Sequence, residues 1–328
     1  MESHIPKYLQ IYHSLIESIR ARRLKKGDQL PSINVLAREK SLSRDTVVKS
    51  FKLLQQKGVI ASIHGKGFFV ASDRLDLSLR VLLMFDAFTP YKNAIYQSFA
   101  ASLDSPGTVD ICFHYFNSRV VETLIDERLG NYDFYLVIHS GDESMNQALA
   151  RIPAEQLFFL DMPPMGLSSF NGIIQDFQAD IEEALLQLLP RVKHYEKLVL
   201  GFRDAVAPPP PELKQGFMNF CYRYDVLGEI VDGQEGLVVQ PGTGFVLIDD
   251  EDLVNVLVDC NRAGYRVGEE VGVLSYNEIA LKKVVGHDGI SVISTNFEQM
   301  GASMAAMIQN NRPEMRYNPS RVIDRKSF

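Results

Sequence analysis

A chain of 328 residues is longer than one compact core usually needs, so two or three domains are expected. Its 46% hydrophobic and 23% charged residues are ordinary for a globular protein in water. No apolar run approaches the roughly 20 residues of a membrane-spanning helix, so a membrane partner is not expected. Charge is divided unevenly. Residues 1–73 hold 13 Lys+Arg and 6 Asp+Glu, a net of +7, which leaves −14 on the rest of a chain whose total is −7. Only the first segment is therefore suited to a polyanion, and phosphates would repel the acidic remainder. The opening stretch MESHIPKYLQ lacks the apolar core and small-residue cleavage site of a signal peptide. Cys112, Cys221 and Cys260 have no metal-type spacing and are expected to be buried, reduced thiols in a cytoplasmic protein.

In residues 5–24 the apolar side chains Ile5, Tyr8, Leu9, Tyr12, Leu15, Ile16 and Ile19 recur at three- and four-residue steps, the stripe of an amphipathic helix. Basic residues and Gly27 end it. Ser32 is placed to cap a short helix carrying Val35, Leu36 and Ala37. Ser43 is placed to cap a second, residues 44–57, with Val47, Val48, Phe51 and Leu54 on one side. Gly58 stops that helix. Two short helices joined by a tight turn make a helix-turn-helix. Residues 59–63 and 67–70 alternate like a hairpin around His64-Gly65-Lys66, where glycine permits positive φ and close backbone approach to a ligand.

The segments G-D-Q-L-P-S, L-A, L-S-R-D-T-V, L-L-Q-Q-K-G-V-I and H-G-K-G-F-F-V, in order over residues 27–70, resemble the GntR family of winged-helix transcription regulators. The resemblance implies a DNA interface of Ser32, Asn34, Arg44, Thr46, Lys49, His64, Gly65 and Lys66. Arg44 would open the recognition helix, where a guanidinium can donate two bonds to guanine O6 and N7. Ser32 would hold a phosphate at a helix N-terminus, and the hairpin tip would enter the minor groove. Ser32 is equally readable as a structural cap, and Lys49 and Lys66 as plain surface lysines.

From residue 80 onward, strand-like apolar runs alternate with helical patterns: strands near 80–88, 108–116, 132–139, 157–161, 171–174, 197–202, 226–231, 244–248 and 271–275, with helices between most of them. Continuous apolar strands between helices signify parallel sheets covered on both faces. The expected fold is thus an α+β winged helix-turn-helix (1–71), a linker (72–80) and an α/β body of two doubly wound lobes (81–328). The segments 245–278, 290–308 and 320–328 resemble the effector domain of LacI/GalR repressors, a periplasmic-binding-protein-like fold. The combination is similar to the arabinose-repressor class. In that fold the chain crosses between lobes three times, here expected near Gln175, Thr295 and Arg312.

Ligands of open α/β sheets sit beyond the carboxyl ends of the strands. Polar and aromatic residues at those ends nominate Asp86, Phe88, Tyr91, Asn117, His139 and Asp161 from one lobe. Arg203, Asp249, Asp250 and Asn277, with Ser140, Tyr276 and Glu278 nearby, complete the set. Carboxylates accept hydroxyl hydrogen bonds and an aromatic face covers the C–H side of a pyranose, which suits a neutral sugar. By family position Asn117, Asp161 and Asp250 match ligand contacts best. The family's arginine at the start of a second-lobe helix is replaced by Leu213, with Arg203 or the proline run 208–211 as candidate substitutes. Asp250 is also readable as a helix cap and His139 as a core histidine. No nucleophile elbow, P-loop or zinc-type cluster is present, so neither an enzyme nor a cofactor is expected. The implied function is a carbohydrate-responsive regulator, acting as a homodimer on a pseudo-palindromic duplex operator. A body that only dimerises, or an enzyme-like body, are the alternatives.

Overall fold

The computed structural model describes residues 7–72, 79–104, 107–203, 209–232, 236–286, 288–310 and 312–328, with the side chains of 9, 13, 20 and 56 excepted. The first region contains helices α1 (Lys7–Arg20), α2 (Ile33–Glu39) and α3 (Arg44–Gln56), followed by the antiparallel strands β1 (Ile60–Ile63) and β2 (Gly67–Val70). Both expected caps form. Ser32 Oγ accepts the Val35 N–H at 3.3 Å and Ser43 Oγ accepts that of Thr46 at 3.2 Å. Val47, Phe51 and Leu54 of α3 bury against Tyr12, Ile16 and Ile19 of α1, with Leu36 and Val59 closing the core. Ile5 lies outside the described residues. At the hairpin tip Gly65 and Gly67 take φ of 73° and 104°, the freedom expected of them.

The first lobe is built from β3 (Arg80–Phe85), α4 (Pro90–Ala101), β4 (Thr108–Phe113), α5 (Ser118–Arg128), β5 (Phe134–Val137), α6 (Ser144–Leu149), β6 (Leu157–Asp161) and β7 (Gly172–Ile174). The second follows with α7 (Phe177–Gln187), α8 (Leu189–Val192), β8 (Lys197–Gly201), α9 (Glu212–Tyr224), β9 (Gly228–Val231), β10 (Thr243–Leu247), α10 (Asp250–Ala263), β11 (Val271–Tyr276) and β12 (Ser291–Thr295). Helix α11 (Phe297–Gln309) and strands β13 (Met315–Tyr317) and β14 (Ser320–Ile323) end the chain. The sheets run β4-β3-β5-β6-β7-β13 and β9-β8-β10-β11-β12-β14, one order used twice, parallel throughout except for β14 against β12. Val81, Leu82, Leu83 and Met84 are fully buried because helices cover both faces of β3. Each such side chain contributes about 1.5–3 kcal/mol.

The structure corrects three details. Helix α11 returns to the first lobe, where Phe297, Met300 and Met304 pack with Ile95 and Phe99. The third crossing is therefore at Asn318, not near Arg312, because β13 first pairs with β7 in the first lobe before β14 joins β12. Asn318 is 3% exposed and laces the crossings together. Its backbone N–H donates to the Ile174 carbonyl at 2.7 Å, and its Nδ2 to Thr295 Oγ1 at 2.6 Å and the Asn296 carbonyl at 2.9 Å. The expected linker falls mostly outside the described residues, and the strand expected near 80–88 begins at Arg80 and ends at Phe85. Finally, Cys221 and Cys260 are buried with thiols pushed up to about 11 by desolvation, whereas Cys112 is only half-buried.

Candidate functional site

In each lobe the sheet order reverses direction at one place, between β3 and β5 in the first and between β8 and β10 in the second. The carboxyl ends of these four strands deliver Asp86, His139, Arg203 and Asp249 to one cavity of about 290 Å³ between the lobes. A hollow of about 340 Å³ elsewhere on the first lobe is lined by Ile152, Pro153, Phe159 and Phe170 and belongs to that lobe alone. The interlobe cavity collects the charged and strained groups.

Its charges are paired before any ligand arrives. Lys92, on the first turn of α4, makes a buried ion pair with Asp86, which also accepts the Ala87 N–H at 2.8 Å. Arg203 donates to Glu251 at 2.6 Å and Asp252 at 2.5 Å, with Asp249 at 4.0 Å. Burial pushes the Asp161 carboxyl up, opposed by the Lys92 ammonium and by the Gln175 side chain that donates to it. Burial also pushes His114 and His139 down. His139 Nδ1 accepts the Gly141 N–H at 3.0 Å, so its proton sits on Nε2, 3.1 Å from Asn146 Oδ1. That ring is neutral.

Several polar atoms here lack an internal partner: Gln175 Oε1, Tyr276 OH, Asn277 Oδ1 and Arg203 Nε are buried without a hydrogen bond. Leaving such a group unmet costs about 1–3 kcal/mol each, so an occupant with hydroxyls gains by satisfying them. Backbone strain gathers at the same place. Phe116, Asp161 and Asn277, at the ends of β4, β6 and β11, take φ of 59°, 66° and 62°, and all line the cavity. Non-glycine residues held in this region cost of order 1 kcal/mol or more and concentrate at functional sites. Tyr91 stacks on Phe297 at 4.9 Å and supplies an aromatic wall.

The second surface of interest is the head. Ser32, Asn34, Arg44, Lys49, His64, Gly65 and Lys66 are exposed and Thr46 is half-buried. The Thr46 hydroxyl is engaged with Ser43 Oγ at 2.7 Å, and the Lys49 ammonium rests 4.2 Å above the Tyr8 ring. Arg44 at the start of α3 and Lys66 at the hairpin tip are exposed cations, with His64 exposed beside Lys66.

Residues 7–70 match the family model for bacterial regulatory proteins of the GntR family, and residues 203–328 that of the periplasmic binding protein-like domain. The chain joins a GntR-family helix-turn-helix head to a periplasmic-binding-protein-like body. Among curated relatives, the uncharacterized HTH-type transcriptional regulator YydK of Bacillus subtilis is 39% identical over 64 residues, 20% of this chain and 27% of that protein. The mannosyl-D-glycerate transport/metabolism system repressor MngR of Escherichia coli is 35% identical over 83 residues, 25% of this chain and 35% of that protein. This chain thus spans about a third or less of the length of these two relatives. Among solved structures, the trehalose repressor from Escherichia coli superposes with a TM-score of 0.64 at 13% identity, covering 75% of this chain and 100% of that one. A lac repressor dimer bound to operator and an anti-inducer gives 0.61 at 14%, covering 77% and 94%. These likenesses show the two-lobed fold.

Within the periplasmic-binding-protein-like body, Asp86, Tyr91, His139, Asp161, Arg203, Asp249 and Asn277 line the cavity, as do Ser140 and Tyr276. Four nominated residues do not, among them Glu278, whose carboxylate accepts from Arg325 at 2.7 and 3.0 Å. Phe88 is 68% exposed and packs edgewise on Phe113 outside the cavity. Asn117 is spent on the N-cap of α5, where its Oδ1 accepts the Arg119 N–H at 3.0 Å. Asp250 turns away to Lys282 at 2.6 Å, while Asp249 caps α10 and faces the cavity. Lys92, Phe116, Gln175, Phe177 and Leu213 line it without having been nominated. Lys92 was findable, because Thr89-Pro90 starts a helix just after Asp86 and brings its first turn back over that carboxylate. Among the described residues no group of His, Cys, Asp and Glu is arranged to hold a metal ion, and no helix is long and apolar enough to cross a membrane.

Proposed function

We propose that this chain is a cytoplasmic, non-catalytic transcription regulator of carbohydrate-use genes, with a DNA-reading head (1–71), a linker (72–80) and a sugar-sensing, dimerising body (81–328). The observation that carries the reading is the pairing of two unlike surfaces in one chain. One is an exposed basic surface bearing Arg44 and Lys66, with His64 at the hairpin tip. The other is an interlobe cavity whose unmet hydrogen-bonding atoms and three strained residues await a polyhydroxylated occupant. Relatives named as repressors for mannosyl-D-glycerate and arabinose metabolism, and a structural neighbour named a trehalose repressor, support a sugar as effector and repression as the output.

A homodimer would put two recognition helices on one face of a pseudo-palindrome. On the second lobe, Val254 of α10 and Leu281 and Val284 beside it are 54%, 59% and 74% exposed, and the Lys282–Asp250 ion pair holds their two segments together. We assign this patch to a second copy of the chain, as the neighbouring lac repressor is itself described as a dimer.

The test combines two readouts on the full chain. A thermal-shift screen of neutral mono- and disaccharides should find one that stabilises the protein, by about 2.7 kcal/mol at 100 times its dissociation constant. Binding to duplex DNA should weaken with salt at a log–log slope of roughly −5, if about six cationic groups per dimer meet phosphates. Arg44→Ala should abolish preference for the selected operator while sparing sugar binding; Asp249→Ala should do the reverse. A protein that no sugar stabilises and no duplex attracts would refute the proposal.

A further inference from the structure

The head is seated on the first lobe. Tyr8 of α1 lies flush on Gly130, whose φ of +82° favours glycine and where an added Cβ would stand 2.2 Å from the Tyr8 hydroxyl and push that ring aside. Next to this contact Lys57, which caps the C-terminus of α3, places its ammonium 3.0 Å from Asp133 Oδ1, the two side chains being only 12% and 27% exposed. The other Asp133 oxygen accepts the Arg80 backbone N–H at 2.9 Å, and the Asp133 N–H donates to the Arg80 carbonyl at 2.8 Å. One carboxylate thus grips both the end of the recognition helix and the first strand of the body.

The turn that carries this contact is stiff. The Tyr135 hydroxyl accepts the Gly130 N–H at 2.8 Å and donates to the Arg128 carbonyl at 2.9 Å. Tyr132 donates to Asp110 at 2.6 Å and accepts from Arg128 at 3.1 Å. Arg44 and Lys66 stay exposed in this arrangement, so a seated head still presents these cations. The seat is also rigidly connected to the interlobe cavity. Helix α5 spans about 16 Å at 1.5 Å per residue, from Asn117, next to cavity-lining Phe116, to Arg128 in the turn. Strand β3 runs from Arg80 toward Asp86, and β5 leads from Asp133 toward His139.

We propose that residues 128–133 form a docking seat for the DNA-reading head, and that this seat fixes the spacing of the two heads of a dimer, so that rotation of the first lobe carries the heads with it. The proposal rests on the DNA-regulator reading above, and the two fail in distinguishable ways. Docking is read without DNA by zero-length carbodiimide coupling of the intact protein, followed by peptide mass spectrometry. A Lys57–Asp133 linked peptide is expected, lost in Lys57→Met and in Asp133→Asn, the latter retaining an acceptor for the Arg80 N–H. The functional arm uses a duplex with two half-sites, selected from random sequence by the wild-type protein, and a duplex with one. Lys57→Asp and Asp133→Lys should each weaken two-site binding by about 5–10-fold through lost pre-organisation. One-site binding should hold, and the double exchange should recover part of the two-site affinity, since Asp133→Lys still removes the acceptor of the Arg80 N–H. Absence of the linked peptide, or equal losses on one-site and two-site duplexes, would overturn the seat. A wild-type protein that ignores both duplexes would instead sink the regulator reading.

Discussion

Asp180 offers a quantitative test of how the second lobe is assembled. It lies in the first turn of α7, just after the chain crosses from one lobe to the other, and its Oδ2 is buried with no hydrogen-bond partner. Burial, then the neighbouring carboxylates of Asp176 and Glu183, push its carboxyl from 3.8 up to about 7. In the unfolded chain the group ionises near its ordinary value, so folding is unaffected below about pH 3. The folded state then loses stability as pH rises between about 4 and 7, because the unfolded chain gives up this proton first. A rise of about three pKa units at 1.36 kcal/mol each makes the penalty roughly 4 kcal/mol above pH 7. Asp180→Asn removes the ionisation and keeps the shape. Its amide still lacks a partner, at about 1 kcal/mol, leaving a net gain of about 3 kcal/mol. Urea unfolding followed at pH 8 and pH 4 measures it. The variant should be more stable at pH 8 and nearly matched to the parent at pH 4. A gain independent of pH, or a loss at pH 8, would refute the argument.

Three further outcomes follow from named contacts. Ser43→Ala strips the cap from α3 and should cost about 1 kcal/mol of stability in the head, read from its melting transition. Lys92→Met leaves the Asp86 carboxylate buried without its cation and should destabilise the first lobe by about 3–5 kcal/mol; Lys92→Met with Asp86→Leu should recover most of that loss in the same denaturation assay. Because Lys92 and Arg203 are already neutralised by carboxylates, a phosphorylated sugar must displace an existing pair. Calorimetry should find it at least about 10-fold weaker than its unphosphorylated parent, and tighter binding of the phosphate ester would contradict this electrostatic account.

The parts of the fold legible in the sequence were those fixed by local chemistry. Ser32 and Ser43 announce helix starts because a hydroxyl there meets an otherwise unpaired N–H, and β3 announces a doubly covered strand because nothing polar interrupts it after Arg80. The strand-end rule brought nine of the thirteen nominated ligand residues to the cavity. It missed where the choice depended on a neighbour distant in sequence. Asp249 and Asp250 are chemically identical, and only Lys282, supplied by a segment beyond β11, decides which of them faces inward. Asn117 looks the same whether it caps a helix or meets a ligand. The third crossing was misplaced because the exposed triplet Met315–Tyr317 has no burial pattern of its own and becomes a strand only by pairing with β7.

That third crossing bears on how the two lobes are joined. Three chain passages join the lobes, and Asn318 hydrogen-bonds to the ends of the other two while being itself the third. The lobes behind these passages are close-packed sheets that resist bending. The strained backbone at Phe116 and Asp161 of the first lobe and at Asn277 of the second lines the gap between them. In the regulator we propose, a rotation of the first lobe about these passages would carry its far end with it. The Gly130–Tyr8 and Asp133–Lys57 contacts lie at that end. A coupling of about 1–3 kcal/mol between effector and DNA needs no more than a different head spacing in the two lobe positions.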